Sequence, residues 1–248
     1  MKDNTILLAS RTIIFYIILS VWTCLWTSFF ILVGLAIPPQ KRHAIIVSPW
    51  AKVAVFLCKI FCGITFEIKG KENIPEDSCV IISNHQSAWE TFFLQTLISP
   101  QSQVIKRELL FIPFFGWAFG LVQPIAIDRS NRRQSMKQIL KKGSNLLKKG
   151  YFVLIFPEGT RKPSGHLGKF STGGAVLAVN SGKKILPIAH NAGDCWPPKS
   201  FIKRPGHITI HIGKPIPTAG REYKTINDEC RQWIFSALDS TRNESEAA

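Results

Sequence analysis

Formally charged side chains are absent from Thr12 to Gln40, and the apolar run from Ile13 to Ile37 exceeds the roughly 20 residues that a bilayer-spanning helix needs. A cleaved signal peptide, with an apolar region of only about 7–15 residues and a small-residue cleavage site, does not fit this pattern. After Pro38-Pro39-Gln40-Lys41-Arg42 a second apolar segment begins near Ile45 and ends at Gly63. Ser48 is suited there to cap a helix and Pro49 to open it. Lys52 and Lys59, seven positions apart, share one narrow face while Val53, Val55, Phe56 and Ile60 cover the rest. That describes a helix at a membrane interface, or a core helix whose two lysines reach for water. Lys2, Arg11, Lys41 and Arg42 flank both ends of the first run, so the distribution of basic residues gives no orientation. A span and a hairpin dipping into one leaflet both fit. Residues 1–63 therefore read as a two-helix membrane segment, and 64–248 as a separate domain.

From about Thr65 short β-rich runs alternate with helical ones, the pattern of an α/β domain. Strands are predicted at 79–83, 103–105, 151–156, 185–188 and 207–212. Helices are predicted over 89–98, 132–149, 172–180 (capped by Ser171) and 225–240. Met136, Ile139, Leu140, Leu146 and Leu147 fall on one side of the second helix before Gly150 ends it. The polar tail 243–248 is expected to be loosely ordered.

The chain of 248 residues carries 31 Lys and Arg against 16 Asp and Glu, a formal charge of +15. Such a surface suits an anionic membrane, an acidic carrier or nucleic acid. No nucleic-acid-binding motif is present, so nucleic acid is not expected as a partner. Six cysteines, Cys24, Cys58, Cys62, Cys79, Cys195 and Cys230, lie scattered among apolar residues without metal-ligand spacing. They read as ordinary buried thiols of a reducing, cytosol-facing domain, and no metal site is expected.

Two polar islands interrupt apolar surroundings: Ser83-Asn84-His85-Gln86-Ser87-Ala88-Trp89-Glu90 and Phe156-Pro157-Glu158-Gly159-Thr160-Arg161. The first follows a buried-looking strand, at the carboxyl end where α/β sheets bind ligands. On one continuous helix, residues five apart point about 140° away from each other. His85 must therefore precede the helix for Glu90, in its first turn, to reach an imidazole nitrogen. The other nitrogen is then free to act as a general base. In the second island Arg161 can grip a phosphate bidentately, and Gly159 permits close backbone approach. Glu158, which a phosphate would repel, suits a substrate hydroxyl or the fixing of Arg161. His166, His190, His207 and His211 have no carboxylate at comparable spacing and read as structural or surface residues. Trp50, Trp89, Trp117, Trp196 and Trp233 suit core packing for the most part, or a membrane interface.

These islands resemble the phospholipid and glycerolipid acyltransferase family, with likeness from about Thr65 to His190. The family's Asn-His-x4-Asp motif maps onto Asn84, His85 and Glu90, with glutamate standing where aspartate is usual. Lys106-Arg107-Glu108-Leu109, then Ile112-Pro113-Phe114-Phe115-Gly116-Trp117 and Ile127-Asp128-Arg129, match the second block. Residues 156–161 match the third and Ile185-Leu186-Pro187-Ile188 the fourth. The resemblance implies a mixed α/β sheet with flanking helices, anchored at the inner, cytoplasmic membrane with its catalytic domain on the cytoplasmic face. His85 and Glu90 would be the catalytic dyad. Asn84, Lys106, Arg107, Glu158, Gly159, Thr160 and Arg161 would bind substrate, although for Arg107 a solvated surface role is an equal reading. The implied reaction moves an acyl group from an acyl carrier protein or coenzyme A thioester to the 2-hydroxyl of lysophosphatidate, giving phosphatidate without a metal or tightly held cofactor. A different lyso-lipid acceptor, such as a lyso-ornithine lipid or lysophospholipid, fits the same motifs. A membrane-anchored binding protein would not need His85 or the second island.

Overall fold

A computed structural model describes residues 5–247, so Lys2 lies outside the described residues. The first apolar run forms α1 (Thr5–Val33). The second forms a nearly continuous helix built from α2 (Pro39–Arg42), a π-helical turn at His43–Val47 and α3 (Ser48–Cys62). Both helical stretches are long and apolar enough to cross a membrane by length and composition. Ser48 is not a cap and Pro49 does not open the helix. The chain is already helical at Ser48, whose amide reaches the carbonyl of His43 five residues back. Pro49 supplies no N–H and crowds the preceding turn, and the wider turn just before it accommodates both defects. Trp26 Nε1–H donates to the Ile46 carbonyl at 2.8 Å, giving a partner to backbone that the irregular turn exposes.

Seven strands make one sheet: β1 (Ile64–Lys69), β2 (Val80–Ser83), β3 (Gln101–Lys106), β4 (Ile125–Ile127), β5 (Phe152–Ile155), β6 (Ile185–His190) and β7 (Gly206–Ile212). Their order is β1-β7-β6-β2-β5-β3-β4, and every neighbouring pair is parallel except β6 and β7. Strands β2, β5 and β6 are buried along their whole length, which is why they stand out as unbroken apolar runs. The strands that sequence patterning passes over, β1 and β4, are the two edges. β1 carries an exposed Glu67 and a partly exposed Lys69, charges of the kind that protect an edge strand, and β4 has only three residues.

The remaining helices are α4 (Trp89–Leu97), α5 (Phe115–Gly120), α6 (Arg132–Lys148), α7 (Gly173–Asn180) and α8 (Tyr223–Ala247). Asn131 caps α6, its side chain accepting from the Gln134 amide at 3.0 Å. The predicted Ser171 cap of α7 is absent: the preceding residue is Thr172, and it makes no side-chain capping bond. α8 runs through residue 247 rather than ending at 240, so the tail before residue 248 is helical, and Glu244 pairs with Lys69 of β1 at 2.7 Å.

Two cores sandwich the sheet. One joins α1, α3 and α4 to one face through Phe15, Leu19, Ala54, Cys58, Trp89 and Phe93. The other joins α6, α7 and α8 through Ile139, Leu147, Leu177, Ile226 and Cys230. The N-terminal helices thus share a core with the sheet. Polar ties reinforce that joint. Arg11 Nε donates to the Phe61 carbonyl at the end of α3 at 2.6 Å, and the Lys203 amide donates to Thr12 Oγ1 at 3.1 Å. Among the cysteines, five are buried, and Cys24 on α1 is exposed.

Lys203 is itself buried. Its ammonium lies 4.6 Å from the Trp196 ring centre and 5.0 Å from that of Tyr16, and it donates to the Ser200 carbonyl at 2.8 Å. Burial lowers its pKa from 10.5 to about 8. Between those values the unfolded chain holds a proton that the folded chain has lost, so stability rises with pH across the window. A Lys203→Met variant, with no amine to titrate, should show a flatter rise. Thermal melts of both proteins in detergent check this, and parallel pH curves would contradict it.

Candidate active site

β2 delivers Asn84 and His85 to the carboxyl end of the sheet. Asn84 has no exposed surface. Its Nδ2 donates to the His190 carbonyl at 2.9 Å and its Oδ1 accepts from the His190 amide at 3.1 Å. The side chain thereby extends the ladder between β2 and β6 past the point where the backbone turns away. The expected substrate contact is replaced by a positioning role. His190 answers from below: its Nδ1 accepts from the Ala192 amide at 3.3 Å, so its proton sits on Nε2, which donates to the Asn84 carbonyl at 3.0 Å. Burial lowers the His190 pKa, outweighing the opposing charge of Glu90, and keeps this ring neutral.

His85 precedes α4, as the angular argument requires. Its Nδ1 lies 2.8 Å from Glu90 Oε1. That same oxygen accepts from the amides of Gln86 at 3.0 Å and Ser87 at 2.9 Å. Glutamate in place of aspartate is accommodated by this reach: the carboxylate bends back over the first turn of α4 and collects the loop amides, where the helix dipole also favours a negative charge. Burial, the largest influence, raises the Glu90 pKa. The neighbouring His190 and His85 imidazoles and the Ser87 amide more than offset it, leaving the carboxyl below its ordinary value. Nδ1 therefore carries the proton facing Glu90, and Nε2 is the unshared basic nitrogen.

The second island clamps this loop. Glu158 Oε1 accepts from the His85 amide and Oε2 from the Gly168 amide, each at 2.9 Å, while the Lys162 amide donates to the His85 carbonyl at 2.7 Å. Glu158 is a bracket for two loops and does not hold Arg161. Burial, the largest cause, raises its carboxyl pKa against the pull of those two amides. The His85 ring stacks on Phe156, with centroids 4.3 Å apart and planes 19° from parallel. Gly159 has φ 68° and open space where a Cβ would stand. The turn needs glycine for its left-handed backbone.

His85 opens into a cavity of about 530 Å³, within the usual range for small-molecule sites. Lys106, Arg129, Thr160 and Arg161 line it together with His85, and all four are solvent-exposed, marking its mouth. Lys106 also faces Glu108 at 3.7 Å, but both side chains are half exposed and such a pair binds weakly. Arg107 is placed differently from expectation. It leaves the end of β3 on the other side and pairs with Asp128 at 3.1 Å, away from the cavity lining. The cations that join Lys106 and Arg161 are the exposed Lys199 and Arg129, whose guanidinium also donates to the Gly159 carbonyl. The place of Arg129 in the matching block was visible in the sequence, but its role was not assigned. The apolar walls come from α3, α4 and α5 through Trp50, Phe92, Phe115 and Phe119, and from Trp26 of α1. Nothing in the sequence pairs Trp26 with His85.

The neutral state of His190 has a stability signature. With its folded pKa below the ordinary 6.5, the unfolded chain binds the extra proton, so its contribution to stability is lost as pH falls through that region. A His190→Gln variant should lose less on acidification. Melts between about pH 7 and 5 test this, and an equal acid loss in both proteins would overturn it.

The acyltransferase family profile matches residues 65–191, the span that holds every residue of the two islands. The 1-acyl-sn-glycerol-3-phosphate acyltransferase of Pseudomonas aeruginosa is 48% identical over 93% of this chain and 91% of its own length. A chloroplastic 1-acyl-sn-glycerol-3-phosphate acyltransferase of Brassica napus is 32% identical over 81% of this chain, which spans 57% of that longer protein. In structure, the 1-acyl-sn-glycerophosphate acyltransferase of Thermotoga maritima superposes with a TM-score of 0.78 over 94% of this chain and 95% of its own, at 21% identity, and so shares the fold. With the profile spanning both islands and a relative alike over nearly its whole length, the chain belongs to the acyltransferase family.

Proposed function

We propose that this protein transfers a fatty acyl group from an acyl thioester to the free 2-hydroxyl of 1-acyl-sn-glycerol 3-phosphate, forming phosphatidate. The observation that carries the reading is the placement of His85, backed by the buried Glu90, in the cavity that Lys106, Arg129, Arg161 and Lys199 also line. These cations suit the acceptor's phosphate, and the apolar walls suit an acyl chain, each buried methylene contributing about 0.8 kcal/mol. The names of relatives across bacteria and plastids agree with this substrate.

In this mechanism the acceptor hydroxyl gives its proton to His85 Nε2 as its oxygen attacks the thioester carbonyl. The C–O bond forms, the C–S bond breaks, and the proton passes on to the departing thiolate. Glu90 holds the ring and stabilises the imidazolium that forms in between, as a buried carboxylate beside a catalytic histidine does. The reading calls for no metal or tightly held cofactor. It places α1 and α3 at the inner membrane with the catalytic domain on the cytoplasmic face, where the acceptor lipid and the donor meet.

His85→Ala should lower phosphatidate formation by about 10²–10⁴-fold, the usual worth of a general base. Glu90→Gln, which keeps the shape and removes the charge, should lower kcat while sparing KM. Product formation from lysophosphatidate, followed with radiolabelled donor, checks both, and an active His85→Ala sinks the mechanism. Arg161→Ala and Arg129→Ala should each raise KM for lysophosphatidate about tenfold or more, as loss of a charge-assisted contact does. Arg107→Ala should leave that KM nearly unchanged.

A further inference from the structure

The exposed side of α6 is the most one-sided charge distribution on the molecule. Arg132 and Arg133 stand in its first turn, Lys137, Lys141 and Lys142 follow, and Lys148 and Lys149 close it, with no Asp or Glu between 132 and 150. These seven account for nearly half of the net charge of +15. All are exposed, and among the described residues none of them forms an ion pair, while lysines and arginines elsewhere do.

The arrangement works against the helix itself. Arg132 and Arg133 sit at the positive end of the helix dipole. Arg133, Lys137 and Lys141 are successive like charges four apart, each such pair costing about 0.2–0.5 kcal/mol. Lys148, in the last turn, is favourably placed toward the dipole, but among the described residues no ion pair offsets the charges that precede it. A local rule broken without internal compensation marks a functional surface, stabilised by something outside the chain.

We propose that α6 is the docking surface for an acidic carrier protein that brings the acyl group as a thioester. The inference rests on the acyl-transfer reading and names the donor class for that site. Three observations select a protein over a lipid bilayer. α6 belongs to the layer on the face of the sheet opposite α1 and α3. Its apolar residues Ile139, Leu146 and Leu147 are buried against that core, and no large exposed hydrophobic side chain lies on it. A helix that settles into a membrane surface needs an apolar face to insert. α6 also begins three residues after Arg129, which lines the cavity mouth, so a carrier held along it would present its prosthetic arm at the opening.

Length separates a carrier protein from a small donor. A helix of 17 residues extends about 25 Å, comparable with the edge of an ordinary interface of about 800 Å² per partner. Coenzyme A entering the mouth can reach the first turn but not also Lys141, Lys142 and Lys148.

The test is a Lys137→Glu/Lys141→Glu/Lys142→Glu variant, beside the milder Lys→Gln triple, assayed with palmitoyl acyl carrier protein and with palmitoyl coenzyme A. None of the three residues lines the cavity. KM for the carrier-bound donor should rise about tenfold or more, as loss of electrostatic steering does, with a smaller rise for the Gln triple and a weaker dependence on salt. KM for palmitoyl coenzyme A, kcat with that donor and the thermal melt should stay within about twofold or a few degrees. Equilibrium binding of the unacylated carrier protein should weaken in parallel, which reads docking without turnover. An unchanged carrier KM and affinity would overturn the proposal. So would an equal loss with both donors, or loss of sedimentation with phosphatidylglycerol vesicles while carrier binding persists, which would assign α6 to the membrane. Phosphatidate formed by the wild type from palmitoyl coenzyme A reports separately on the acyl-transfer assignment.

Discussion

A carboxylate without exposed surface stays ionised only if donors surround it, and the site is organised around meeting that condition at Glu90. One of its oxygens gathers the His85 imidazole and the Gln86 and Ser87 amides. The same contacts that keep the charge also set the ring's tautomer, the start of α4 and the course of the loop after β2. Asn84 and Glu158 then fix that loop from two other directions, through the backbone of β6 and through the turn of the second island. The geometry of the site and local folding are therefore one network: a residue that tethers the loop also aims the His85 ring.

The two faces of the sheet divide the work. On one face, α1, α3 and α4 supply apolar walls and a surface suited to lipid. On the other, α6, α7 and α8 close the core and present charge to water. Both meet at the carboxyl ends of β2, β3 and β4, where the cavity mouth gathers His85, Lys106 and Arg129.

Much of this was legible in the chain because burial leaves a periodic trace. β2, β5 and β6 are unbroken apolar runs, and α6 has one apolar side. The dyad was legible because five positions cannot bring His85 to Glu90 on a single helix, so a loop had to intervene. Roles that depend on direction were not. Arg107 and Arg129 are both basic residues in matching blocks, and only the chain's exit from β3 sends one to Asp128 while the other lines the cavity. Glu158 was read through its charge beside a phosphate, whereas backbone amides, which have no sequence signature, take its oxygens. Pro49 looked like a helix start because the compensating π turn leaves no mark in residue types. The edge strand β1 escaped because solvent exposure removes the apolar run that marks a central strand, and β4 because three residues are too few to make one.

Phe15 and Leu19 of α1 are packed in the same core as Ile81 of β2 and Trp89 of α4, and Trp26 reaches the cavity wall. Trimming the chain at residue 63 to obtain a water-soluble enzyme would strip a face of that core and open one side of the cavity. For this protein, the helices apolar enough to cross a membrane are also part of the fold, and a homologue losing them would need to rebuild its interior.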